Sequence, residues 1–295
     1  MAQVMHTSKN VLLRTLGIFL IIVGCVCLSF GLGHDDTLLI TRYEVDDAHI
    51  DEPLKIMQLS DFHNHGLDYP NTNLIDAING VEKDIVFLTG DIIDQYTSED
   101  DLKDFEEILK ALDGIPIYYI RGNHEYYANE PEKLYALLDR YGVVTLEDEV
   151  ATFSWYGTDI NIYGLHDIKK EQLELNKKDV DVRPFLDDLV KQLPVDEDDV
   201  NILLAHRPEY MPIYKEYNFD YVFSGHTHGG QINMLGIGVP IIDGQGLFPH
   251  YVRGEYVETY EGHTSHLYIN AGLGMNNVLA IRYNCPPEIV QVTLR

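Results

Sequence analysis

Apolar residues along the chain gather in short runs separated by polar turns. The runs LKIMQLS (54–60), DIVFLTG (84–90), IPIYYIRG (115–122), INIYGL (160–165), VNILLAH (200–206), YVFSGH (221–226), HLYINAG (266–272) and IVQVTL (289–294) read as buried β-strands. Between several of them the apolar spacing switches to the helical period. Ser98 is placed to cap a helix over 99–112, whose Leu102, Phe105, Ile108, Leu109 and Leu112 share one face. Pro131 opens a second helix over 131–141 that Gly142 ends, and a third covers 184–193 before Pro194. Strand–helix–strand units of this kind predict an α/β fold with a largely parallel sheet and helices packed outside it. Chemistry in such folds collects in the loops at the carboxyl ends of the strands. No repeat, low-complexity tract or linker divides residues 44–295.

One run is different. Thr15 to Gly33 holds nineteen positions without a charge, enough for a helix that nearly crosses a hydrocarbon core of about 30 Å. Lys9 and Arg14 precede it and Asp35 and Asp36 follow. The expectation is a single-pass cell-membrane protein with an N-terminal transmembrane helix and cytoplasmic tail over 1–34, and a domain over 35–295 on the extracytoplasmic side. The alternative is a lipoprotein anchored at Cys25, since Ile22-Val23-Gly24-Cys25 resembles a lipobox; the residues after it stay apolar where a tether is usually polar. A cleaved signal peptide lacks a clear small-x-small site, and no twin-arginine signal is present.

Charge narrows the partners. The chain carries 21 Lys and Arg against 48 Asp and Glu, a net charge of −27. Every acid lies after position 34, whereas Lys9 and Arg14 lie before it, so the domain is more acidic than the whole chain. Such a surface repels nucleic-acid backbones, and no nucleic-acid partner is expected. Cys25 and Cys27 sit in the apolar stretch, which leaves Cys285 alone in the domain and no disulfide framework there.

The residues that follow the strands carry the candidate chemistry. They are Asp61-Phe62-His63, Gly90-Asp91-Ile92-Ile93-Asp94, Gly122-Asn123-His124-Glu125, His206, and Gly225-His226-Thr227-His228-Gly229-Gly230-Gln231. Five strand ends thus deliver Asp61, Asp91, Asn123, His63, His206, His226 and His228 toward one rim. A mixed nitrogen and oxygen set without thiolate suits Mn, Fe, Zn or Ni. Seven donors are too many for one catalytic ion with an open position and suit two ions sharing a carboxylate. Two dications against Asp61 and Asp91 leave a positive site, and a phosphate group is its natural guest.

The ordered motifs D-x-H, G-D-x-x-D, G-N-H-E, H and G-H-x-H over residues 54–231 resemble the calcineurin-like metallophosphoesterase superfamily. The Gly-Gly-Gln after His228 and the tail Arg282-Tyr283-Asn284-Cys285-Pro286-Pro287-Glu288-Ile289 are similar to its membrane-anchored bacterial branch. The resemblance implies a four-layer α/β/β/α sandwich with a di-metal centre between the sheets. It places Asp61, His63, Asp91 and His228 on one metal and Asp91, Asn123, His206 and His226 on the other, with Asp91 bridging. It gives His124 the role of protonating the leaving oxygen and Asp94 that of hydrogen-bonding and orienting Asp91. A metal-bridging hydroxide would attack phosphorus directly, with two divalent ions as cofactors: Mn as the expected metal, and Zn, Fe or Ni as alternatives.

Outside those motifs, His65, His166 and Arg207 are candidate substrate contacts, Arg121 a neutraliser of nearby acids, and Tyr126-Tyr127 candidate lining of an aromatic mouth. The expected function is a membrane-anchored metal-dependent phosphoesterase hydrolysing phosphate-ester or pyrophosphate bonds in a phosphate-containing small molecule or a lipid-linked substrate. The alternatives are a catalytically idle metal-binding scaffold that retains the fold, and a mononuclear zinc hydrolase, whose H-x-H-x-D-H cluster is absent.

Overall fold

Where the apolar runs occur, the computed structural model forms strands that split their side chains between two faces. It describes residues 37–63, 66–175, 180–231, 249–274 and 282–295, together with Gly17 and the backbone of short strands between 233 and 247. The elements below belong to the unit Asp36–Arg295.

The first sheet is begun by β1 (Leu39–Val45), β2 (Leu54–Leu59), β3 (Ile85–Leu88), β4 (Ile117–Tyr119) and β5 (Val144–Thr145). The chain then crosses to a second sheet, made of β6 (Glu149–Trp155), β7 (Thr158–Leu165), β8 (Val200–Ala205), β9 (Tyr221–Ser224), β10 (Gly254–Tyr260) and β11 (His263–Ile269). Finally β12 (Glu288–Leu294) returns to the first. The orders are β1-β12-β2-β3-β4-β5 and β10-β11-β9-β8-β7-β6. Pairing is parallel through the middle of both sheets. It turns antiparallel where β12 meets β2, where β10 meets β11 and where β6 meets β7. The parallel expectation therefore holds for the central strands, and these three pairs depart from it.

Alternate residues explain the layers. Ile56, Ile85 and Phe87 of the first sheet meet Ile162, Ile202, Leu204 and Phe223 of the second in one buried cluster. Their neighbours Met57, Val86 and Leu88 face the other way, against α1 (Leu74–Gly80), α2 (Glu99–Ala111) and α3 (Pro131–Arg140) through Ile78, Phe105, Ile108, Leu134 and Leu138. On the far side, Tyr163, Leu203 and Val222 pack on Leu186 and Leu189 of α5 (Arg183–Gln192), which follows α4 (Lys169–Leu175). Period-two strands buried on both faces produce this helix–sheet–sheet–helix stack. The α2 helix starts on the expected residue: the Ser98 hydroxyl accepts from Asp101 N–H while the Asp101 carboxylate accepts from Ser98 N–H.

Polar contacts tie the two sheets together at the carboxyl ends of their central strands. The Gln58 amide donates to Ser224 O at 2.9 Å and the Asn270 amide donates to Gln58 O at 3.0 Å. Among the described residues no helix is long and apolar enough to cross a membrane. The Thr15–Gly33 stretch, Gly17 apart, lies outside them, as does the candidate His65.

Candidate metal centre

Three of the five strand ends turn through left-handed backbone, and those turns are built largely from the candidate ligands themselves. Asp61, His63, Asp91, His226 and His228 all adopt the left-handed backbone region, with φ between 43° and 69°. Asp and His visit that region more readily than bulkier residues, but at a cost, and such strain concentrates at functional sites. The chain can approach this closely at only a few positions. A Cβ on Gly225 would fall on the Ser60 hydroxyl and the Asp61 carboxylate, so glycine there is what lets the β9 loop touch the β2 loop.

Two groups of donor atoms result. Asp61, His63 and His228 form one, and Asp91, His206 and His226 the other; His63 and Asp91 also group with His124. One carboxylate oxygen links them, since Asp91 Oδ2 lies 3.5 Å from His63 Nε2 and 3.2 Å from His206 Nε2. Asp61 Oδ1 lies 3.5 Å from His228 Nε2 and 4.0 Å from His63 Nε2. Asp61, His63, Asp91, His206, His226 and His228 are all buried.

Hydrogen bonds fix the orientations. His206 Nδ1 must donate to Thr89 O at 2.7 Å, because a carbonyl can only accept, and this aims Nε2 at Asp91. Both carboxylate oxygens of Asp61 accept His226 N–H at 3.1 Å, and Asp91 Oδ1 accepts His124 N–H at 2.8 Å. Several atoms are buried without a hydrogen-bond partner: both ring nitrogens of His63, His206 Nε2, His228 Nδ1 and Asn123 Oδ1. Buried polar atoms left without hydrogen-bond partners around two carboxylates fit divalent cations, and the mixed imidazole, carboxylate and amide set fits first-row metals.

Burial and pairing separate the charges. Burial lowers His63 to about 4 and drives His228 well below the usual histidine range, so both rings are neutral at physiological pH. Burial opposes charge on His206 as well, but the Asp91 carboxylate outweighs it and raises the ring to about 10. Without ions, His206 and Asp91 therefore form a buried ion pair. A bound ion takes the neutral imidazole and so displaces that proton at any pH below about 10; affinity falls as the pH is lowered. Calorimetric titration with Mn(II) at pH 7, in buffers of different ionisation enthalpy, is expected to show release of at least one proton. Release of none contradicts the ion-pair assignment.

The remaining candidates fall in several places. His124 is half-buried with its ring edge-on to His63, centroids 4.6 Å apart. Asp94, expected to orient Asp91, lies beside His63. Its Oδ1 accepts from Tyr96 N–H at 2.7 Å and its Oδ2 lies 3.9 Å from His63 Nδ1. His166, expected at the substrate, is walled in: Nδ1 meets Asp148 at 2.5 Å and Nε2 meets Glu171 at 2.9 Å, which engages both ring nitrogens. Arg207, also expected at the substrate, is buried, with Nε donating to Asp167 at 2.8 Å and Nη1 to Glu209 at 3.3 Å. Arg121 pairs with Glu147 at 3.3 Å and lies over the rings of Tyr126 and Tyr135.

Glu125 is the residue that sequence reasoning missed. Its buried carboxylate accepts the N–H groups of Asp91 at 3.1 Å, Ile92 at 2.6 Å and Gly122 at 3.0 Å. It thereby clamps the loop bearing Asp91 to the loop bearing Asn123 and His124. Burial, with Asp91 nearby, raises its pKa, and the Ile92 N–H works against that rise. The only signal was an acid directly after His124. Glu125→Gln turns one acceptor into a donor facing N–H groups, and is expected to lower stability by at least roughly 2 kcal/mol and to weaken metal binding. Urea unfolding of the two proteins checks this.

Comparison with known proteins adds family context. The family model for calcineurin-like phosphoesterases matches residues 54–230. The uncharacterized protein YpbG of Bacillus subtilis (strain 168) is 32% identical over 61% of this chain and 63% of its own. The uncharacterized metallophosphoesterase YkuE of the same organism is 30% identical over 82% of this chain and 79% of its own. The chain thus spans less than two thirds of YpbG but most of YkuE. Among solved structures, a 5'-nucleotidase precursor from Thermus thermophilus aligns with a TM-score of 0.49 at 15% identity, over 75% of this chain and 49% of that one.

Proposed function

The chain belongs to the calcineurin-like phosphoesterase family; on that premise we propose that it is a dinuclear metal-dependent phosphoesterase. In this reading Asp61, His63 and His228 hold one divalent ion, Asn123, His206 and His226 hold the other, and Asp91 is shared. The observation that carries it is the position of Asp91 Oδ2, within 3.5 Å of a ring nitrogen from each group. Two ions, when bound, supply a nucleophile from water near neutral pH and offset the charge of a phosphate group.

The chain's own residues do the rest. Asp91 is held from behind by Glu125 through the backbone, and from the side by His124 N–H. His124 keeps its ring beside His63, placed to give a proton to a departing oxygen. Thr89 holds the His206 ring in one tautomer.

The substrate class in this reading is a phosphate ester or pyrophosphate. An anchor over Thr15–Gly33, with the basic residues before it and the acidic ones after, would hold the domain at the outer face of the membrane, where lipid-linked substrates lie within reach. The test presents the purified chain with phosphomonoesters, a chromogenic phosphodiester, nucleotide sugars and phospholipids, each with Mn(II), Ni(II) or Zn(II). Metal-dependent release of product, lost on chelation and restored by the metal, is expected with at least one class. Inertness toward every class contradicts the reading.

A further inference from the structure

Arg207 Nη1 lies 3.2 Å from His226 Nε2. A guanidinium has only donors and stays charged, so Nε2 must be the acceptor and must present its lone pair to Arg207. A neutral imidazole has one such lone pair. If an ion takes Nε2, it takes the lone pair that Arg207 uses. If an ion takes Nδ1, the ring hydrogen moves to Nε2 and two N–H groups face each other. Either way, the Arg207 contact and ligation by His226 exclude one another.

The displaced donor has a place to go. Nη1 already reaches Glu209 Oε1 at 3.3 Å, while Glu209 Oε2 is buried without a hydrogen-bond partner. Asp167 meanwhile keeps hold of Nε at 2.8 Å, so the guanidinium can turn without leaving its pocket. Tyr214 fixes the backbone by donating to Arg207 O at 3.0 Å.

We propose that Arg207 is a positioning residue that competes with the ion for His226, and that loading of this site moves its Nη1 from His226 onto Glu209. The inference rests on His226 being a ligand. Arg207 then keeps the His226 ring aimed while the site is empty, and lowers the affinity of the site it guards.

The test is calorimetric titration of the full chain with Zn(II), comparing wild type with Arg207→Lys, Arg207→Gln and Glu209→Gln. Lysine keeps the charge and a bond to Asp167 but ends short of the Nη1 position. Both Arg207 variants are expected to bind the weaker of the two ions roughly 5- to 150-fold more tightly, the usual range for coupled sites. Glu209→Gln removes the receiving carboxylate and is expected to weaken that ion. A merely structural ion pair moves all three toward weaker binding, and a bare charge effect leaves Arg207→Lys unchanged; either pattern overturns the proposal. If Arg207→Gln does not fold, Arg207→Lys decides. Wild-type chain that binds fewer than two ions refutes the dinuclear reading itself, whereas two ions with an unresponsive Arg207→Lys refute only this inference.

Discussion

Asp91→Asn is expected to empty both metal positions and to abolish hydrolysis while leaving the fold intact. Asparagine is nearly isosteric and tolerates the left-handed backbone that Asp91 adopts. The N–H of His124 still finds an oxygen in the amide, so that loop contact survives. What disappears is the negative charge shared by His63 and His206. His206 would lose the carboxylate that raises its pKa, and the ions would lose the one ligand common to both groups. Inductively coupled plasma mass spectrometry on the purified variant, with circular dichroism as the folding control, measures the outcome. Retention of two ions contradicts a bridging role.

His124→Ala is expected to behave in the opposite way, keeping its metal and losing rate. A positioned general acid contributes on the order of 10²- to 10⁴-fold, so kcat is expected to fall by that factor for a substrate with a poor leaving group. A good leaving group such as nitrophenolate needs less protonation, and the loss there is expected to be smaller. Because the ring shares a donor group with His63 and Asp91, metal content is the discriminating readout. A variant with fewer ions than wild type makes His124 a ligand and removes the acid assignment.

Much of this site was legible because strand ends impose order on the chain. Asp61, Asp91, Asn123, His206 and His226 each follow a strand whose apolar run is unmistakable, and a parallel sheet delivers such residues to one edge. The helix starts at Ser98 and Pro131 were legible for the same local reason: capping chemistry is written within a few residues. Edge strands were harder. In β1, β6 and β10 exposed and half-buried positions alternate, so their side chains form no continuous apolar run. Their place depends on partners far along the chain, such as β1 beside β12.

The polar network around the ligands was least legible. Nothing in the spacing tells that Glu125 collects the N–H groups of Asp91, Ile92 and Gly122, or that Asp94 lies beside His63. His166 and Arg207 look like substrate contacts from their neighbours in sequence, yet Asp148, Glu171, Asp167 and Glu209 claim them. Buried polar groups take whichever partner the packing brings, and that choice is made in three dimensions.

The central claim is that one carboxylate joins two cations. Crystals of the chain grown with Mn(II), measured at the manganese absorption edge, test it most directly. Two anomalous peaks roughly 3.5–4 Å apart, one on each side of the Asp91 carboxylate, are expected. A single peak, or a pair that does not share Asp91, contradicts it.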